Sequence, residues 1–201
     1  MNTKELFEFD KSFGCLVAGV DEAGRGPLAG PVVCACCIMG DYYIEGINDS
    51  KKLSEKNREK LYEEIVHNAK AYGVGIVDER TIDDINILNA TKLGMEIAVK
   101  NMGTMADIVL IDAVKGLNIN APTKSIIKGD ATSYAIAAAS IIAKVTRDRI
   151  MREYDIKYPE YAFAQNKGYG TAKHIQALRE IGACEIHRKS FIGNFIDEQA
   201  V

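Results

Sequence analysis

Four acidic residues stand where apolar runs of this chain end. Asp21 and Glu22 follow LVAGV, Asp112 follows IVLI, and Asp130 follows SIIKG. Each run reads as a short buried strand, and carboxylates at strand ends can converge at one end of a sheet. Gathered there, they supply the oxygen ligands that a hard divalent ion such as Mg²⁺ takes. Four of them could hold two ions, which clamp the attacking and leaving oxygens of a phosphoryl displacement. Taken singly, each acid also reads as a turn or cap residue, Asp130 most of all because a helix follows it. The pair Asp21-Glu22 resists that reading. Two like charges beside a buried run repel each other unless something positive joins them.

The stretch Gly24-Arg25-Gly26-Pro27-Leu28-Ala29-Gly30 lets backbone approach a ligand closely. Its N–H groups and its one guanidinium suit phosphate or sugar oxygens, although a wide turn between strands would use the same residues. A Lys-Ser/Thr pair is missing after the last glycine, so this is no P-loop, and the spacing fails the dinucleotide fingerprint. Cys34-Ala35-Cys36-Cys37 lies inside an apolar strand, where packing is favoured over zinc ligation. His67, His174 and His187 are too scattered for a histidine metal site, and no Gly-x-Ser-x-Gly elbow exists for acyl transfer.

The elements that must position these residues follow from periodicity. Apolar runs predict strands at Leu16–Val20, Pro31–Met39, Tyr72–Val77, Ile108–Ile111 and Ser125–Lys128. Asn48–Leu53 is a polar loop, and Ser54 caps a helix with Leu61, Tyr62, Ile65 and Val66 on its apolar stripe. Thr81 with Asp84 is a capping box for a short helix. A longer helix spans Asn89–Met102 with Leu93, Ile97 and Met102 inward. Thr132 to about Tyr158 is one long helix, stopped near Pro159, and Thr171–Ile181 is another, with Gly182 at its C-cap. Strands followed by interspersed helices predict an α/β or α+β protein with one main sheet.

Composition sets the outer bounds. The chain has 201 residues, of which 47% are hydrophobic and 26% charged, so disorder and low complexity are excluded. No apolar run reaches the ~18 residues of a membrane helix, and the N-terminal MNTKELFEFDK shows no secretory signal. Five cysteines, three of them bunched, make a poor disulfide framework and predict a reducing, cytoplasmic setting. The net charge is -3, but residues 144–190 carry a balance of +4. That quarter is the better seat for an anionic partner, and an ordinary solvated helix face explains it equally well.

Six ordered motifs together resemble the ribonuclease HII family. VAGVDEAGRGPLAGPVV at Val17–Val33 is similar to its opening motif. NDSKKLSEKNREKLYEEI (Asn48–Ile65), IVLIDA (Ile108–Ala113), IIKGDATSYAIAAASIIAKVTRDR (Ile126–Arg149), NKGYGTAKHIQAL (Asn166–Leu178) and HRKSF (His187–Phe191) follow in the family's order. The resemblance implies an α/β ribonuclease H-like fold: a mixed central sheet flanked by helices, in one catalytic domain over residues 1–201. A helical C-terminal extension would begin at about residue 159. It implies endonucleolytic cleavage of RNA in RNA–DNA hybrids and incision 5′ of ribonucleotides embedded in duplex DNA. It also implies Mg²⁺ or Mn²⁺ as metal, two ions per site, and products ending in 3′-hydroxyl and 5′-phosphate.

Carried over position by position, the resemblance makes Asp21, Glu22, Asp112 and Asp130 the catalytic metal-binding carboxylates. Gly24, Arg25 and Gly26 match the part that senses the 2′-hydroxyl and the adjacent phosphate. Tyr169 matches a tyrosine packed on the neighbouring sugar, and a half-buried core aromatic is the plain alternative. Lys51, Lys52, Lys167 and Arg188 fall to phosphate contacts. Asp148 in TRDR is a rival acid, read as a salt-bridged surface residue in mid-helix. Asp112 is followed by Ala-Val-Lys where many members have Gly and a polar residue, which bears on the shape of that loop. Some sixteen residues before the first strand speak against the sister family, ribonuclease HIII, which usually carries an added N-terminal domain. The expected partners are hybrid and ribonucleotide-containing duplexes, read by a monomer with no membrane attachment. The tail FIDEQAV yields no protein partner. A junction resolvase with two metals, and a noncatalytic nucleic-acid binding module, are the rival readings; cleavage of a four-way junction and metal-dependent cleavage discriminate them.

Overall fold

The computed structural model of the chain describes residues 1–195, so all but the first residue of FIDEQAV lies outside it. Five strands form one sheet in the order β3-β2-β1-β4-β5. They are β1 (Val17–Ala23), β2 (Val32–Ile38), β3 (Ala71–Val77), β4 (Ile108–Asp112) and β5 (Thr123–Ile126). β1 pairs antiparallel with β2 and parallel with β4, β2 pairs antiparallel with β3, and β4 pairs parallel with β5. The sheet is therefore mixed, with β1 in its middle.

The helices are α1 (Thr3–Lys11), α2 (Glu55–Asn68), α3 (Glu79–Met102), α4 (Tyr134–Lys157), α5 (Phe163–Asn166), α6 (Ala172–Ile181) and α7 (Lys189–Ile192). All seven residues of β2, VVCACCI, are buried, which is why the run shows no alternation. Cys34 and Cys36 pack with Ile82, Met95 and Met102 of α3 on one face. Ala35 and Cys37 pack with Ile141 and Ile142 of α4 and Ile65 of α2 on the other. The cysteines are thus free core residues, as their setting in the sequence predicts. A separate cluster around Tyr161, Phe163, Leu178 and Ile186 holds the helical C-terminal part together.

Two positions decide how α4 meets the sheet. A Cβ built on Gly19 would lie 2.1 Å from the backbone of Ala135, so glycine is required for the helix to lie directly on β1. The Ala-rich first half of α4 serves the same close approach. Its N-terminus is fixed from two sides. Ser133 accepts from the N–H of Ile136, and Asp10 of α1 accepts from the N–H of Ala135 at 2.7 Å. α1 carried no signal in the sequence reading. Burial raises the Asp10 carboxyl to about 6.

Some expectations shift. α3 starts earlier than the sequence predicts: Asp78, not Thr81, is the cap, accepting from the N–H of Thr81. The helix breaks at Asn86, whose backbone has φ 66° and whose side chain accepts from the N–H groups of Leu88 and Asn89. The expected pair of helices is therefore present as two helical stretches that meet at this kink, with Asn86 capping the second. Leu93 is exposed, because Ala90, Gly94, Met95, Ala98 and Met102 form the inner stripe. Among the described residues no helix is long and apolar enough to cross a membrane.

Candidate active site

Parallel pairing brings the first carboxylates together. β1 and β4 are in register from Val17–Ile108 to Val20–Ile111, and Asp21 and Asp112 are the next residues on each strand. The third comes from a 3₁₀ turn, Gly129–Ala131, between β5 and α4. The N–H of Gly129 donates to Asp112 Oδ1 at 2.7 Å, which ties that turn to the end of β4. One carboxylate oxygen from each of Asp21, Asp112 and Asp130 lies within 4.8 Å of the others. Glu22 does not join that set. It borders the set: its charge raises Asp21, and the charge of Asp112 raises it.

The site is electrostatically unfinished. Asp21 is buried, and burial together with the charges of Glu22, Asp112 and Asp130 raises its carboxyl well above the usual range. Glu22 and Asp112 are raised too, chiefly by burial. Only two cations pair with these four acids among the described residues: Lys51 with Asp130 at 3.3 Å, and Arg25 with Glu22 at 3.5 Å. Glu22 Oε2 is buried without a hydrogen-bond partner. An all-carboxylate donor set with surplus negative charge and an orphaned oxygen fits a hard divalent ion.

Beside the carboxylates the chain leaves β1 through the glycine-rich loop. Gly24 has φ +98°, and a Cβ there would meet Arg147 Nε at 2.1 Å, so glycine is needed for folding. Two buried arginines hold this loop from below. Arg188 donates to the carbonyls of Gly24, Arg25 and Gly30, and Arg147 to those of Ala29, Pro31 and Lys167. Tyr169 is 46% exposed, and its ring edge covers Gly26: a Cβ built there would sit 3.7 Å from Tyr169 Cε1. Tyr169 is therefore not a core aromatic: its ring stands exposed beside an open glycine.

A family model described as Ribonuclease HII matches residues 18–194. The chain belongs to the ribonuclease HII family. The ribonuclease HII of Acetivibrio thermocellus is 61% identical over 182 residues, covering 90% of this chain and 71% of the relative. Among solved structures, ribonuclease H2 of Pyrococcus horikoshii superposes with a TM-score of 0.74 at 29% identity, covering 87% of this chain and 92% of that one. The ribonuclease HII of Archaeoglobus fulgidus, solved in complex with PCNA, gives 0.75 at 26% identity, covering 90% and 96%. The expected ribonuclease H-like fold with its helical C-terminal part is therefore present, and the protein is a ribonuclease H, an endoribonuclease acting on RNA–DNA hybrids.

Within the family frame, two of the expected phosphate contacts are redirected by the fold. Arg188 is fully buried and its guanidinium is committed to three loop carbonyls, so it supports the loop and does not face a phosphate. Lys167 is buried as well, and its ammonium donates to the carbonyl of Ala164. Lys51 and Lys52 remain exposed on a 3₁₀ turn whose N-terminus Asp49 caps, and Lys51 reaches Asp130. Arg147 escaped sequence reasoning, because an arginine in the charged half of a long helix looks solvated.

Asp148 corrects another expectation. It is 2% exposed, not a surface residue, and pairs with Lys144 at 2.7 Å and Arg58 at 3.9 Å. It lies outside the converging set. Asp148→Asn is therefore expected to cost about 2 kcal/mol of stability, since a buried charge loses its partner, while cleavage per folded molecule is retained. Thermal unfolding and a cleavage assay on the same sample check both. A folded but inactive variant would make Asp148 part of the chemistry.

The two loop glycines should separate in the same way. Gly24→Ala is expected to destabilise the fold, because it forces a Cβ onto Arg147 in a left-handed backbone. Gly26→Ala has room, and its melting temperature should stay near that of the parent. Its methyl would occupy the space in front of Tyr169, and cleavage of hybrid should fall about tenfold. Equal melting and equal cleavage for Gly26→Ala would remove that glycine from the site.

Proposed function

We propose that this chain hydrolyses RNA in RNA–DNA hybrids and also incises 5′ of single ribonucleotides embedded in duplex DNA, leaving 3′-hydroxyl and 5′-phosphate ends. The observation that carries this reading is the convergence of Asp21, Asp112 and Asp130 beside the loop of Gly24, Arg25 and Gly26. The three aspartates, with Glu22, would hold two Mg²⁺ or Mn²⁺ ions. When bound, the ions supply Lewis-acid neutralisation of charge on the attacking and leaving oxygens.

The protein's own groups do the rest. Because Arg147 and Arg188 draw the loop carbonyls inward, the outer side of the loop is left for a sugar 2′-hydroxyl and its phosphate. That hydroxyl is both donor and acceptor, which is what separates a ribonucleotide from its deoxy neighbours. Tyr169 offers a flat ring for the adjacent sugar. Lys51 and Lys52, both exposed, would neutralise backbone phosphates. All these residues come from one chain, so a monomer suffices. Five free thiols suit a reducing cytoplasm.

The deciding experiment is cleavage of a DNA duplex carrying one ribonucleotide, with and without Mg²⁺, with end-group analysis of the products. Cleavage independent of added metal in the presence of a chelator, or a 2′,3′-cyclic phosphate end, would overturn the reading.

A further inference from the structure

Neither His174 nor His187 belongs to the carboxylate site, yet both are buried and in contact, with their Nε2 atoms 2.9 Å apart. The shortest hydrogen bonds around them select one arrangement of protons. His174 Nδ1 lies 2.9 Å from the carbonyl of Tyr169, which can only accept, so Nδ1 carries a hydrogen. The N–H of Cys184 points at His187 Nδ1 at 2.9 Å, whereas the Cys184 carbonyl lies farther off at 3.3 Å and already accepts from the His187 backbone N–H, so that nitrogen carries a lone pair. His187 must then hold its proton on Nε2 and donate it to a bare Nε2 of His174. Both rings are neutral, and each has one tautomer.

The chain of bonds joins two elements that face the substrate. At one end it holds the backbone of Tyr169, whose N–H is held by Asn166 and whose carbonyl also accepts from Thr171. At the other end His187 bridges to Ala29, and the next residue is Arg188, which clasps the glycine loop. We propose that His174 and His187 are positioning residues for ribonucleotide discrimination: a two-imidazole relay that fixes Tyr169 relative to the loop of Gly24 and Gly26. The proposal rests on the reading that Tyr169 meets the sugar beside the ribonucleotide.

The surroundings keep the relay neutral. Burial, and then His174, push His187 down to about 4, and burial lowers His174. The titratable groups packed against the pair are Tyr161 and Cys184, raised to about 12 and about 11 by burial, hence uncharged at neutral pH. Phe163 closes the remaining side. Each His has its folded pKa depressed below the unfolded value. The relay therefore contributes stability above about pH 6.5, and that stability is lost as pH falls toward 4.

The test has two parts, both on the full chain. Histidine ¹⁵N NMR of the wild type should show His174 protonated on Nδ1 and His187 on Nε2. Neither should titrate at the ordinary histidine value. Opposite tautomers, or titration near the ordinary histidine value, overturn the proposal. The second readout is the ratio of kcat/KM on a single-ribonucleotide duplex to that on long hybrid, in which titration and metal loading of the carboxylates cancel. His174→Ala should lower this ratio about tenfold, and His174→Asn, whose amide can donate from nearly the Nδ1 position, should restore most of it. Tyr169→Ala is the control. If it leaves the ratio unchanged, the role of Tyr169 is wrong. If it lowers the ratio and His174→Ala does not, the relay is wrong. Should His174→Ala fail to fold, the NMR result and His174→Asn decide.

Discussion

Asp21→Asn is expected to abolish cleavage while making the metal-free protein more stable. Asp21 is buried among Glu22, Asp112 and Asp130, and its carboxyl is raised by burial first and by those charges next. An acid whose folded pKa lies above its unfolded value costs the native state stability as the pH rises past the unfolded value, and in full above the folded one. The asparagine carries no charge and keeps an oxygen to accept from the N–H of Glu22, now 2.8 Å from Asp21 Oδ1. In a chelator at about pH 8 the variant should therefore melt above the wild type. That gap should close as the pH falls and Asp21 itself takes up a proton. Added Mg²⁺ or Mn²⁺ should raise the wild-type midpoint by mass action and the variant's much less. Cleavage should fall about 10³-fold, the scale on which removal of one preorganised charge-stabilising group acts. Binding of hybrid should survive, because one negative charge facing a polyanion has gone. Wild-type turnover, or a metal-free variant that melts like a damaged core, would sink the assignment. Asp112→Asn should also lose cleavage, with a smaller gain in stability, because Asp112 is only half-buried.

Arg188→Ala is expected to be the most destabilising single change near the site. The side chain is fully buried and donates to three carbonyls of the glycine loop, with distances from 2.6 to 3.0 Å. Truncation leaves these carbonyls buried without a donor and opens a void beneath the loop. Losing charged hydrogen bonds and leaving acceptors unsatisfied should together cost about 4 kcal/mol. For a chain of this size that lowers the melting temperature by roughly 10 °C. Arg188→Lys should rescue little, since one ammonium cannot span acceptors that a planar fork reaches together. The salt dependence of hybrid binding separates this role from a phosphate contact. A phosphate-binding arginine contributes about 0.9 to the slope of log affinity against log salt. Here the slope should stay unchanged for Arg188→Lys, while Lys51→Ala or Lys52→Ala should flatten it. A stable Arg188→Ala with a flattened slope would return Arg188 to the interface.

The carboxylates, the glycine loop, the β-strand runs and the caps at Ser54 and Gly182 were legible in the sequence because their signals are local. An apolar run that ends in an acid, a serine before an amphipathic stripe, or a glycine-rich turn each expresses chemistry within a few residues. The ordered motifs then carried the family. Register was not local. Only the parallel pairing of β1 with β4 brings Asp21 level with Asp112, and only the Gly129 N–H bond swings Asp130 in beside them. Burial of charge was not local either. Arg147 and Asp148 look like part of a solvated helix face, and Lys167 and Arg188 like loop cations, yet all four are buried. The sequence alone showed three scattered histidines. Tertiary packing placed two of them 2.9 Å apart behind Tyr169, because a side chain's partners across a core are set by how helices and loops meet, not by their spacing along the backbone.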